Sequence, residues 1–354
     1  MKQSERNYKR IVIKIGSSLF YSGARELDFG VLNAVAEQSS QLLKDKKEAA
    51  IVSSGAIALG MHLLGFKERP RELCELQAAA AIGQNEVVNQ YRNAFRGKGI
   101  HAAQVLLTRE DLNNRKRYLN AKNTLLTLMR LHSLPIINEN DTVSTDEIKF
   151  GDNDMLSALV AALINADLLI ILSDIDGLLD NDKKVIPVVG EITPKIRSLA
   201  CPTDKKTCVG GMVTKIEAAK ICMDSGIPCV IANGRRKDII SSVIKEPEKH
   251  GTLFLSCKKL AARERWIAFG TKPKGRIFVD DGAKKALLDK KSLLSVGVTG
   301  IEGNFEPGDI VSVTDINGNE FARGKVSISA KHLDNVKGAR HDREAVHRNN
   351  IVIL

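Results

Sequence analysis

Residues 134–156 read LPIINENDTVSTDEIKFGDNDML, an apolar run that empties into two acid-amide clusters before an apolar helical pattern resumes. Leu134–Ile137 has the composition of a buried strand, and Asp154–Asn165 the spacing of a helix, so the stretch reads as a strand–loop–helix unit. The clusters between them are Asn138–Glu139–Asn140–Asp141 and Asp152–Asn153–Asp154. Carboxylates and carboxamides this dense are costly to bury unpaired. They suit a grip on a ligand that carries both ammonium and carboxylate groups, beside a metal or a phosphate. The plainer reading is a solvated loop held by Asx-turns.

Outward from this stretch the same alternation repeats. Arg10–Ile15, Ala49–Val52, Leu168–Leu172 and Gly226–Ala232 read as further strands. Phe29–Lys44, Glu72–Arg96, Leu119–His132 and Thr214–Asp224 read as helices between them. The pattern predicts βαβ units around a mainly parallel sheet sandwiched by helices, an α/β class in which ligands sit beyond the carboxyl ends of the strands. After about Ser256 the pattern changes. Short strands and Gly/Asp turns follow the Pro/Gly break at Thr271–Gly275, as a small β-rich or all-β module. The expected organisation is a catalytic domain over 1–256, a linker over 257–271 and a second domain over 272–354.

Composition narrows the function classes. With 354 residues and 43% hydrophobic content, the chain can build two ordinary globular cores. Nothing approaches a transmembrane helix, and Lys14 interrupts the first apolar run, so no secretory signal is read there. The six cysteines form no C-x-x-C pair and read as reduced cytosolic thiols. The net charge of +11 raises nucleic acid as a ligand, but it is spread along the chain. Residues 272–354 carry 14 Lys and Arg against 11 Asp and Glu, and the rest of the chain 39 against 31.

Four further motifs could carry chemistry. Lys14 lies inside IVIKIGSS (Ile11–Ser18); read alone, it is a strand lysine that snorkels beside a turn. In AIVSSGAIALG (Ala50–Gly60), Ser54 and Gly55 either cap a helix or offer a hydroxyl and N–H groups to an anion. LLIILSDIDGLL (Leu168–Leu179) ends a strand at Ser173–Asp174, with Asp176 as a turn residue. VGGMVTK (Val209–Lys215) places two glycines and a lysine at a helix start. Together these are the parts phosphoryl transfer needs: lysines and backbone amides to neutralise phosphoryl oxygens, and a carboxylate to balance them.

The blocks IVIKIGSS, IVSSGAIALG, LQAAAAIGQ, QVLLTRED, RYLNAKNTL, PIINENDTV, IKFGDNDMLSAL and GGMVTK resemble the amino acid kinase family along nearly the whole chain. The INEND and GDND clusters resemble the members that phosphorylate glutamate, rather than acetylglutamate or aspartate kinases. The C-terminal block, with AVHRNN at Ala345–Asn350, resembles a PUA domain, implying a small PUA-like barrel.

That resemblance implies ATP-dependent phosphorylation of the γ-carboxylate of L-glutamate, the first step of proline biosynthesis, with ATP and Mg²⁺. Glutamate would be held by Ser54, Gly55, Asn138, Asp141 and Asn153, with Asp152 supporting the substrate loop. ATP would be bound through Lys14, Ser173, Asp174, Val209, Gly210, Gly211, Met212, Val213, Thr214 and Lys215. Lys14 and Lys215 would stabilise the moving phosphoryl group while Asp154 organises both. No residue is expected to hold a metal by itself. The nucleotide side departs from the family pattern at Leu179, where a tyrosine is usual, and at Cys208–Val209. The resemblance also implies a cytoplasmic homo-oligomer (dimer or tetramer), proline as feedback inhibitor and glutamate-5-semialdehyde dehydrogenase as a partner enzyme. RNA is a further ligand implied by the PUA-like domain; an RNA-binding or RNA-modifying protein is the alternative from another class.

Overall fold

The computed structural model describes residues 7–22, 26–144, 152–200, 211–256, 262–271, 273–339 and 343–354. The chain divides into two compact units, 1–259 and 260–354.

The strands of the first unit are β1 (Arg10–Ile15), the short ribbon β2 (Tyr21–Ser22) and β3 (Glu26–Leu27), β4 (Glu48–Ser53), β5 (His101–Leu107), β6 (Ser133–Glu139), β7 (Leu168–Ser173), β8 (Val188–Val189), β9 (Cys229–Asn233) and β10 (Gly251–Phe254). Eight of them form one sheet in the order β5-β6-β4-β1-β7-β9-β10-β8. From β5 to β9 every pairing is parallel, and β10 runs antiparallel to β9. The strands β1 and β7 are apolar on both faces because helices cover both sides, so Ile11, Val12, Ile13 and Leu168–Leu172 are fully buried.

Register decides where the site lies. Ile15 stands opposite Ser53 on one side and Leu172 on the other, while Val52 stands opposite Ile137. The carboxyl ends of these strands and the residues after them therefore emerge at one edge: Gly16–Ser18, Ser54–Gly55, Asn138–Asp141 and Ser173–Asp174. The helices of this unit are α1 (Gly30–Lys44), α2 (Ala56–Leu63), α3 (Leu73–Ala94), α4 (Arg109–Asn113), α5 (Arg115–Arg130), α6 (Asp152–Ile164), α7 (Pro194–Ser198), α8 (Met212–Asp224), α9 (Ile239–Lys245) and α10 (Pro247–His250).

Local chemistry moves several boundaries. Helix α5 begins at Arg115, not Leu119, because the Asn114 side chain accepts from the N–H groups of Lys116 and Arg117. Helix α6 begins at Asp152 and so takes Asn153 and Asp154 into its first turn. The strand expected from Gly226 starts at Cys229. Gly226, at φ +74°, instead closes α8, its N–H and that of Ile227 donating to Met223 and Cys222. Strand β5 is an addition, half exposed at the sheet edge. No helix among the described residues is long and apolar enough to cross a membrane.

The second unit contains α11 (Ala262–Phe269), within the stretch expected as a linker, then β11 (Gly275–Val279), α12 (Asp281–Leu288), β12 (Val298–Gly303), β13 (Ile310–Thr314), β14 (Glu320–Lys325), α13 (Ala330–Val336) and β15 (Ile351–Ile353). Its five-stranded sheet has the order β12-β11-β13-β14-β15, antiparallel except for β11 beside β13. Ile277, Val279, Leu293, Phe305, Val311, Val313 and Leu333 form its core. The all-β option is therefore replaced by a β-rich unit with helices.

Candidate active site

Two lysines from distant parts of the chain meet on one carboxylate. Lys14, on β1, places its Nζ 2.6 Å from Asp154 Oδ1. Lys215, one turn into α8, places its Nζ 3.1 Å from Asp154 Oδ2 and 3.3 Å from the Gly211 carbonyl oxygen. The Thr214 hydroxyl also donates to Asp154 Oδ2, at 2.7 Å. Asp154 is 1% exposed, Lys14 4% and Lys215 7%. Lys14 does not snorkel; its ammonium is buried because its counter-ion lies 140 residues along the chain.

Burial alone costs such charges heavily, and their mutual attraction is what keeps them ionised. Burial lowers the pKa of Lys14, Asp154 opposes that shift, and Lys215 adds to it by repulsion. Burial would raise the carboxyl of Asp154, but the fields of Lys14 and Lys215 and hydrogen bonds from Lys14 and Thr214 leave it below its usual value. Two ammoniums on one carboxylate leave a surplus positive charge in a nearly dry place. Such a group is poised for a polyanion.

The triad opens onto a cleft of about 480 Å³ at the carboxyl edge of the sheet. Lys14, Ser54, Gly55, Asn138, Asp141, Asn153, Asp154, Ser173, Asp174, Gly211, Met212 and Lys215 all line it. Ser54 does not cap α2. Gly55, at φ +105°, occupies that position, a conformation disfavoured for any side chain, and a Cβ there would lie 3.1 Å from the Phe20 ring. On the opposite side the Ser173 hydroxyl donates to Asp174 Oδ1 at 3.0 Å. Burial would raise the Asp174 carboxyl, but hydrogen bonds from Ser173, its own backbone and Ser18, with the field of Lys215, leave it lowered.

The two acid-amide clusters are joined by one backbone N–H. That of Glu139 donates to Asn138 Oδ1 at 2.9 Å and to Asn153 Oδ1 at 3.4 Å. Asn138, 1% exposed, in turn donates to Gln84 Oε1 on α3 at 2.7 Å. The solvated-loop reading therefore fails for Asn138, Asn153 and Asp154. Asp152 is the first residue of α6. Thr214 acts on Asp154 and Val213 precedes it on α8, neither lining the cleft. Val209 and Gly210 lie outside the described residues.

Sequence reasoning missed Gln84 and Arg69. Gln84 falls in a run of helix-forming residues, and Arg69 in a loop whose Gly65 and Pro70 mark a turn but point to no ligand, so neither carried a local signal of function. Asp176 does not line the cleft; its carboxylate accepts from Asn233 at 3.0 Å and pairs with Arg236 at 2.9 Å. Among the described residues no three His, Cys, Asp or Glu converge as a metal-binding group.

Comparisons with known proteins agree on both units. The family model described as the amino acid kinase family matches residues 9–233, and that of the PUA domain residues 275–347. Proteins named glutamate 5-kinase are similar over nearly the full length. That of Thermoanaerobacter sp. (strain X514) is 43% identical over 98% of each chain. That of Thioalkalivibrio sulfidiphilus (strain HL-EbGR7) is 45% identical over 98% of this chain and 97% of its own. That of Methylococcus capsulatus (strain ATCC 33009 / NCIMB 11132 / Bath) is 41% identical over the same shares.

Proposed function

The chain belongs to the amino acid kinase family, and on that premise we propose that it transfers the γ-phosphoryl group of ATP to the γ-carboxylate of L-glutamate. The observation that carries this reading is the buried Lys14–Asp154–Lys215 triad, which lines the same cleft as Ser54, Asp141 and Asn153.

A carboxylate with a pKa near 4.3 is already ionised at pH 7, so the nucleophile needs no general base. One γ-carboxylate oxygen forms a bond to the γ-phosphorus as the bond to the β–γ bridging oxygen breaks. The electron pair leaves with ADP, and the product is an acyl phosphate. Charge in the loose transition state spreads over the three equatorial phosphoryl oxygens. Lys14 and Lys215 supply the donors for those oxygens, and Asp154 fixes both ammoniums before the substrate arrives, so little reorganisation remains for the reacting step.

Mg²⁺ bound to ATP needs only one or two protein carboxylates beside the phosphates. Asp174, held by Ser173 at the cleft wall, fits that requirement without a preformed metal cluster. When bound, the ion neutralises charge on the β- and γ-phosphates. Gly211, at the start of α8, offers backbone to the polyphosphate, and Leu179 borders the nucleotide side.

The reading extends to a cytoplasmic enzyme at the first step of proline biosynthesis, inhibited by proline. It would be a homo-oligomer that hands its labile acyl phosphate to glutamate-5-semialdehyde dehydrogenase. RNA is the ligand class proposed for the PUA unit. An ATP-dependent hydroxamate assay with glutamate, N-acetylglutamate and aspartate, with and without proline, tests the activity. Glutamate alone should give product; turnover confined to another acceptor would overturn the assignment.

A further inference from the structure

Helices α2 and α3 bring to the cleft a residue that belongs to no motif. A Cβ on Gly60 would lie 1.8 Å from the Ala79 carbonyl oxygen, and one on Gly83 the same distance from that of Ala56. The two helices therefore meet backbone to backbone, which fixes the path of the segment between them, residues 64–72. Gln77 of α3 donates to the Ser144 carbonyl at 3.2 Å, tying this hairpin to the turn that follows Asp141. Arg69 sits in the connecting segment, its backbone kept extended by Pro70. It is half-buried and lines the same cleft as Ser54, Asp141 and Asn153. Burial lowers its guanidinium pKa and the field of Asp141 opposes that, so the two side chains are electrostatic neighbours.

Among the described residues the cleft is lined by three cations: Lys14, Arg69 and Lys215. Both lysines are committed to Asp154 and the phosphoryl group. Glutamate brings three charges. Its γ-carboxylate must meet the phosphoryl group, which leaves an ammonium and a carboxylate on one carbon at the far end. That pair needs an anion and a cation side by side, and Asp141 with Arg69 supplies them.

We propose that Arg69 binds the α-carboxylate of the amino acid substrate, and with Asp141 forms a two-charge clamp that selects α-amino acids. This rests on the glutamate reading above. The guanidinium offers two parallel donors to a carboxylate, a geometry a lysine cannot reproduce.

The test uses the full chain with Arg69→Gln and Arg69→Lys. Their substrates are glutamate, 4-aminobutyrate, which keeps the reacting carboxylate and the ammonium but lacks the α-carboxylate, and glutarate, which lacks the ammonium. Each is measured as acceptor or, where turnover is too slow, as competitive inhibitor. Arg69→Gln should lose about 10- to 150-fold in kcat/KM for glutamate, mostly in KM, the range for charge-assisted hydrogen bonds. Its values for 4-aminobutyrate should stay within about twofold, and Arg69→Lys should recover only part of the loss. Calorimetric titration of glutamate without ATP should weaken by the same factor. A variant that keeps its preference for glutamate over 4-aminobutyrate overturns the assignment. So does one that loses all three ligands alike, since that would make Arg69 only a support for Asp141. No turnover of glutamate by the unaltered protein would instead remove the proposed function itself.

Discussion

Replacing Asp154 by Asn tests the electrostatic core of the site, because it removes one charge and almost no volume. In the parent, one carboxylate at 1% exposure balances two buried ammoniums, 2.6 and 3.1 Å away. The substitution would leave those ammoniums facing each other with only an amide between them. Removing one partner of a buried ion pair costs about 3–5 kcal/mol. That is a large share of the roughly 5–15 kcal/mol that holds a domain folded. For a unit of this size it corresponds to a fall in melting temperature of roughly 10 °C.

The sign of the pH dependence follows from Lys14. Its folded pKa is already below 10.5 through burial, and Asp154 is the main influence raising it. Between a lowered folded value and 10.5 the unfolded chain binds more protons, so stability rises with pH there. Asp154→Asn lowers the folded value further and widens that window downward. Its thermal deficit, followed by circular dichroism, should therefore be largest near pH 7 and shrink toward pH 10, while turnover is lost throughout. A variant that melts within about 1 kcal/mol of the parent, or whose deficit is the same at pH 7 and pH 10, would refute the coupled-triad account.

Lys14→Ala and Lys215→Ala should each lower turnover by about a hundredfold or more, the size of effect seen when one donor to transition-state charge is lost; near-normal turnover in either removes its role. Gly83→Ala forces a methyl group against the Ala56 carbonyl oxygen and the Gly60 nitrogen. It should destabilise by about 1–3 kcal/mol and raise KM for glutamate more than for ATP, whereas an unchanged melt would show that the hairpin yields. In the second unit, Asp315 accepts from Lys284 at 2.8 Å and from the N–H groups of Asn317 and Asn319 at 3.0 Å each. The Lys284 bond and the Asn319 N–H draw its carboxyl down to about 2. Its stabilisation is present above the unfolded value and lost as pH falls through about 2. Asp315→Asn should therefore melt lower at pH 7, with the gap to the parent closing on acidification; a gap independent of pH between 7 and 2 argues against it.

The strands at the centre of the first unit were legible because burial on both faces demands long apolar runs: β7 has one over Leu168–Leu172, and β1 has one broken only by Lys14. Strand β5 was not, since an edge strand with exposed His101 and Gln104 shows neither a continuous run nor strict alternation. Helix starts moved for a related reason. Asn114 caps α5 through its own side chain, and the apolar pattern that marks a helix begins only after such a cap. The Gly and Ser strand ends were readable as anion sites because backbone N–H groups at a turn need no partner from elsewhere.

Charge pairing is the part a linear reading cannot weigh. Lys14 in isolation is a lysine on a strand, and its burial makes sense only once Asp154 is known to face it. Arg69 is invisible for the same reason, since its meaning depends on Asp141, 72 residues on. In the proposed assignment, the acid-amide stretch serves both ends of the substrate. Glu139 N–H pins Asn138 and Asn153 to a common point, and α6 begins there. Asp154, in the first turn of α6, lies where a helix N-terminus favours an anion, which offsets part of the cost of burying it. From that fixed point Asp154 is directed to the lysines, while Asp141, on the loop before it, stays with Arg69. In the proposed assignment, the separation of phosphate chemistry from amino acid recognition thus follows from where one helix starts.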